Sequence, residues 1–172
     1  MTIIKSLLKE LEQEASTTRK MLQLIPDDKY DWQPHPKSMS IRRLSAHIAE
    51  LPTWITIAIT TKELDFASSP YDPVVVNSTQ EVLELFEISL ENGRTHLENA
   101  DPNTFDEAWV LRNGEEIYGT WTKAETIRQT YCQIVHHRAQ LGVFLRLLDI
   151  PIPGSYGPSA DEMEMAPQET HG

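Results

Sequence analysis

Two histidines in this chain recur in the same setting. His47 follows Leu44 by three residues and precedes Leu51 by four, and His137 stands in the same relation to Ile134 and Leu141. At helical spacing each lies on the apolar side of its own segment. Imidazoles aimed inward from different helices can meet inside a bundle, where metal sites are commonly built. Imidazole suits zinc, nickel, copper or iron, and a catalytic ion typically takes three protein ligands and leaves one position open. A single inward histidine is more often a hydrogen-bonded core residue than a ligand. With two of them, a shared metal pocket and a core contact stand as comparable readings.

Gln133 and Gln140 complete a polar line with His137 on a face that Ile134 and Leu141 mark as partly buried. Buried polar groups need partners, so the line implies a polar pocket or bound water. His136 lies about a hundred degrees round the helix from His137, so the two hardly bind one ion; it reads as a helix contact or outer support. Glu50, one turn after His47, could reach the same place, though a solvated helix-face carboxylate is the more common case. Cys132 and His136 at i,i+4 do not form a nucleophile–base geometry, and Cys132 reads as a packed structural residue. The seven glycines are scattered and form no phosphate loop.

These residues need helices to hold them. Ile4, Leu7, Leu8, Leu11, Ala15, Thr18 and Leu22 predict an amphipathic helix over 2–24. Pro26, Pro34 and Pro36 then make a loop with Trp32 as an anchor. Ser40 is an N-cap for a second helix to about Thr61, kinked at Pro52, which has no N–H to donate. Residues 62–77 read as a long crossover that lets the second and third helices lie parallel. Ser78 with Glu81 is a capping box opening the third helix, to about Glu98. Asn113-Gly114 between Trp109-Val110-Leu111 and Ile117-Tyr118 predicts a short hairpin. Thr122 with Glu125 caps a fourth helix to about Leu148, ended by Pro151 and Pro153. The expected fold is therefore all-α, a four-helix bundle with a long crossover and a short β-hairpin before the fourth helix. Residues 1–160 form the domain and 161–172 an acidic tail.

The bulk properties narrow the partners. A chain of 172 residues fits one core, and a net charge of -11 opposes nucleic acid and anionic membranes. No apolar run approaches a membrane span, the first residues do not open a signal peptide, and one cysteine forms no internal disulfide. A soluble, cytoplasmic protein is expected.

Three runs carry a family resemblance. They are Trp32-Gln33-Pro34 followed by residues 40–50 around His47; His136-His137-Arg138-Ala139-Gln140-Leu141; and Leu145-Arg146 with Pro151, Pro153, Tyr156 and Gly157. In order and spacing they resemble the DinB-like (DinB/YfiT-like) metalloenzymes over most of the chain. The resemblance implies a four-helix bundle, often a homodimer. It also implies a divalent metal held by one histidine of the second helix and two of the fourth, spaced HxxxH. His47 and His137 match the first and last ligands, while the middle one falls on Gln133. Glutamine is a neutral and weaker donor than imidazole, so zinc or nickel would be held loosely or be absent. The resemblance further implies transfer of a low-molecular-weight thiol, or related hydrolysis, on a small-molecule substrate. Gln140, Arg138 and His136 would then support the ligands or orient substrate. The competing readings are a non-catalytic binding or stress-response module with a degraded site, and a structural dimer with core histidines.

Because only one of two consecutive helical residues can face the pocket, His137→Ala should abolish retention of metal while His136→Ala weakens it less. Metal analysis of the two untagged variants checks this, and equal losses would count against His137 as a ligand.

Overall fold

The computed structural model describes residues 2–165. Thr2 opens helix α1 (Ile3–Leu22) by accepting a hydrogen bond from the Lys5 N–H at 3.3 Å, and Leu7, Leu11, Ala15, Thr18 and Leu22 are its buried stripe. Ser40 caps α2 (Ile41–Glu50) in the same way through the Arg43 N–H. The kinked second helix expected from the sequence is two helices, α2 and α3 (Thr53–Thr60). Leu51 and Pro52 between them keep right-handed helical angles, and the Trp54 and Ile55 N–H groups bond three residues back, to Leu51 and Pro52 carbonyls. The missing proline N–H leaves the ladder to tighten rather than run on.

The crossover is not a plain loop. It contains strand β1 (Glu63–Asp65), which pairs in parallel with β2 (Ala108–Asn113); β2 in turn pairs antiparallel with β3 (Glu116–Thr122), giving the order β1-β2-β3. The all-α expectation is overturned by this three-stranded sheet. Glu63-Leu64-Asp65 is too short for an alternating pattern to register, and its strand exists because of a partner more than forty residues away. Arg112 donates to the Glu63 carboxylate at 2.8 Å, and Asp65 accepts from the Gly114 N–H at 2.8 Å, so side chains secure the pairing. The β2–β3 turn has Gly114 at φ 59 in its first central position, where a left-handed residue is needed. One extra residue on β3 between the partners of Leu111 and Arg112 makes a bulge.

Ser78 caps α4 (Thr79–Glu98) by accepting from the Glu81 N–H at 3.2 Å. The Glu81 carboxylate reaches the Asn77 N–H rather than that of Ser78, so only half of the expected capping box forms. At α5 (Lys123–Leu147) both halves are present between Thr122 and Glu125. A short helix, α6 (Ala160–Met165), is tied back by Asp161, which accepts from Arg146 and from the Ile152 N–H. Of the expected acidic tail, residues 166–172 lie outside the described residues.

The main helix contacts set the bundle order. α1 packs on α4 and α5, and so do α2 and α3, which places α1 across the core from the α2–α3 pair. Among the described residues no helix is long and apolar enough to cross a membrane.

At Gly93, α4 runs close against the backbone that opens α3. A Cβ there would lie 2.5 Å from the Pro52 carbonyl oxygen, with backbone and not a flexible side chain in the way. Gly93→Ala should therefore cost about 1–3 kcal/mol despite the better helix propensity of alanine. Urea unfolding checks this; unchanged or increased stability would mean that the α3–α4 contact yields freely.

Candidate metal centre and its cavity

Helices α2 and α5 bring the His47 and His137 rings to 4.7 Å between centroids, nearly perpendicular at 78°. His137 is buried and His47 is partly so. Each ring is tethered through Nδ1 to a side chain one turn on: His47 to Glu50 Oε1 at 2.9 Å, and His137 to Gln140 Oε1 at 2.9 Å. A carboxylate and an amide oxygen can only accept, so both rings donate from Nδ1, and Nε2 is the nitrogen of each neutral ring that can ligate. Burial lowers the His137 pKa, and neighbouring His47 and His136 push the same way against the bond to Gln140; the neutral, ligating form is favoured.

Glu50 is the main departure from expectation. Its side chain is 16% exposed and accepts from both His47 and the Tyr71 hydroxyl, so it is not a free carboxylate. Tyr71 comes from the crossover, and burial followed by its bond to Glu50 raises its pKa and keeps the phenol protonated. Nothing in the local sequence around residue 71 announced this role; proline-rich surroundings hid it.

His47 and Gln133 line one cavity of about 430 Å³, with Trp54, Tyr71, Trp109 and Trp121 among its other walls. His137 and Gln140 line a second opening of about 440 Å³, with Lys37, Met39 and Phe144. The paired rings thus stand between two hollows. Trp32, expected as an anchor, packs edge-on to Phe144 at 5.6 Å. The three cavity tryptophans were not singled out from sequence as site residues; the aromatic content near the second helix and the hairpin reads there as cover for a dimer partner.

The remaining candidates divide. Gln133 is exposed at the cavity rim, one turn before His137. His136 is exposed, 4.8 Å from the His137 ring, and is reached by the Gln140 amide at 3.2 Å, outside the pair. Arg138 is turned to the other side of α5 and is 2% exposed. There it bonds Glu14 Oε2 at 2.6 Å, Thr18 at 3.2 Å and the Tyr156 hydroxyl at 3.2 Å. Cys132 is exposed rather than packed.

Two imidazoles tethered through Nδ1 fit a zinc- or nickel-like ion, since ligating histidines are held in this way through their second nitrogen. Gln133 can add only an amide oxygen. Among the described residues no group of three or more His, Cys, Asp or Glu is placed to hold a metal. The donor set therefore fits a weak site, with two good ligands and one poor one.

A four-helix arrangement with a small sheet and a histidine pair between two of its helices defines a bundle protein with an internal polar site. The chain belongs to the DinB family, whose family model matches residues 1–170. Solved structures share the fold. A DinB-like protein of Bacillus subtilis, YjoA, is 16% identical with a TM-score of 0.68, covering 87% of this chain and 96% of its own. YfiT from Bacillus subtilis, a probable metal-dependent hydrolase with an unusual four-helix bundle topology, is 12% identical with a TM-score of 0.65, covering 88% of this chain and 91% of its own. The mycothiol-dependent maleylpyruvate isomerase is 15% identical with a TM-score of 0.60; the match covers 82% of this chain and 61% of that longer one. No curated protein matches the sequence.

Arg138 provides a direct test of its placement. Replacing it with methionine leaves the Glu14 carboxylate in a pocket without its cation, a loss of about 3–5 kcal/mol. Denaturant unfolding of Arg138→Met measures it, and a loss below about 1 kcal/mol would return Arg138 to the list of substrate-orienting residues.

Proposed function

We propose that the protein is a metal-dependent enzyme acting on a small molecule, in which His47 and His137 hold a divalent cation, zinc or nickel. Gln133 supplies a weak third ligand or positions a ligating water, and Gln140 supports His137. The observation that carries this reading is the double tether: both Nδ1 atoms are committed to acceptors while the rings stand 4.7 Å apart. Two core histidines that merely satisfied one another would bond ring to ring. Here each has its own acceptor and a spare lone pair beside the other.

A cation bound there lowers the pKa of a thiol or water and so makes a nucleophile available at neutral pH. The chain's own residues do the rest. Glu50 and Gln140 fix the ring orientations, and Tyr71 holds Glu50 in place. The reaction we infer is transfer of a low-molecular-weight thiol to an electrophile, in which the S–H bond breaks, sulfur bonds to carbon, the bond from that carbon to its leaving group breaks with its electron pair, and the leaving group takes up the proton; or a related hydrolysis, in which water takes the thiol's part. Likeness in fold to a mycothiol-dependent isomerase and to a probable metal-dependent hydrolase is compatible with either, at the level of fold. We infer a homodimer as the assembly.

One observation favours a second reading, a binding or stress-response module without catalysis: among the described residues no third His, Cys, Asp or Glu joins His47 and His137, and position 133 is glutamine. Gln133→His separates the two. Positions 133 and 137 are one turn apart, with Cβ atoms about 5–6 Å from each other, so both side chains can lean to one ion. Calorimetric titration of metal-free protein with zinc and nickel should show affinity rising at least about tenfold, about 1.4 kcal/mol. Unchanged affinity in a folded variant would mean that His47 and His137 do not converge with position 133, and the metal reading would fall.

A further inference from the structure

The cavity beside His47 has two kinds of wall. One is aromatic, with Trp54 from α3, Trp109 and Trp121 from facing positions on β2 and β3, and Phe66 and Tyr71 from the crossover. The other is the face of α5 that carries Thr126, Gln129, Thr130 and Gln133. Those four side chains are polar but neutral, and among the described residues no Asp, Glu, Lys or Arg lines the cavity, His47 being its one titratable nitrogen base. In the metal-free protein an anionic ligand would have to shed its water there without a counter-charge, in a protein whose net charge is already -11.

The aromatic wall is held from behind. Trp109 is 1% exposed, and its indole N–H donates to Thr61 Oγ1 at 3.0 Å. The Trp121 indole lies over Gly119, close enough that a Cβ on that glycine would come within 2.2 Å of the ring. Any other residue at 119 therefore displaces the indole. On the opposite wall the Thr126 and Thr130 hydroxyls donate to the Thr122 and Thr126 carbonyls at 3.0 and 3.1 Å. With that proton committed, each hydroxyl oxygen has only lone pairs to offer a ligand. At about 430 Å³ the space is of the size that small-ligand sites have.

We propose that this chamber binds a flat, uncharged aromatic compound with one hydrogen-bond-donating handle. Its ring packs against the tryptophan wall, its handle meets the threonine and glutamine face, and Gly119 sets the wall by giving Trp121 its place. Aromatic pairs add favourable edge and offset contacts to the burial of apolar area, and a single hydroxyl matches the acceptors that α5 offers. The inference rests on the reading of His47 as part of the reactive centre, and it names the substrate class that centre would meet.

The probe is 2-naphthol, titrated calorimetrically into the full-length protein in the presence of a chelator. One molecule per chain should bind in the micromolar range. The anionic 2-naphthoate, with the same rings, should bind at least about tenfold more weakly, and Trp121→Ala should weaken naphthol by at least about tenfold. Gly119→Ala, which moves the indole without deleting a lining atom, should also weaken it, by about threefold or more. No saturable binding, equal affinity for naphthoate, or unchanged affinity in a folded Trp121→Ala protein would overturn the proposal. Should Trp121→Ala fail to fold by circular dichroism, Gly119→Ala decides, and unchanged affinity there overturns it. The metal-free conditions keep the two readings apart. Naphthol binding by a chain that retains no metal would leave the chamber and remove the metal, and metal binding without naphthol would do the reverse.

Discussion

Helix α5 has two obligations that its geometry forces onto adjacent residues. Successive side chains on a helix diverge by about a hundred degrees, so His137 and Arg138 cannot serve the same neighbour. Arg138 goes to Glu14 on α1, and the Tyr131 hydroxyl donates to the Leu7 carbonyl on the same helix, 3.0 Å away. His137 goes to His47 on α2. These contacts set the rotation of α5 between two walls of the bundle. A buried arginine without its carboxylate would be costly, so the α1 side is strongly specified. The phase of the histidine follows from it, and with that phase the position of every polar residue on the cavity side.

The site is then assembled by parts far apart in the chain. Glu50 joins α2 to the crossover through Tyr71, and the crossover joins the hairpin through β1. One short strand thereby brings Phe66 and Tyr71 against a wall of tryptophans that the hairpin alone would leave exposed. A two-stranded hairpin is marginal by itself in water. Here its buried face is the wall of the cavity, so the packing that stabilises the sheet also shapes the site.

The polar groups around the two rings behave as one network. Glu50 accepts from His47 and Tyr71, and Gln140 accepts from His137 while its amide nitrogen reaches His136. Each donor has an acceptor, and the lone pairs left over are those on the facing rings. His137 is the buried member and its bond to Gln140 satisfies Nδ1 there, while the outer members meet solvent. That is a physical reason for a glutamine at 140 and a glutamate at 50, whichever ion or ligand the rings meet.

Four helical stripes, the caps at Ser40, Ser78 and Thr122, the hairpin around Gly114 and the inward aim of His47 and His137 were legible in the sequence, because each depends on residues within a turn or two of one another. The break at Pro52 was legible as a disturbance but not as two helices. Strand β1 was not legible, nor was the commitment of Glu50 to His47 and Tyr71, nor the burial of Arg138 against Glu14. Each of these depends on a partner elsewhere in the chain or on the rotation of one helix against another. Local sequence determined which elements form and which side chains face inward along each of them. Only the tertiary structure decided which inward faces meet, because meeting is a matter of packing between segments that the chain itself keeps far apart.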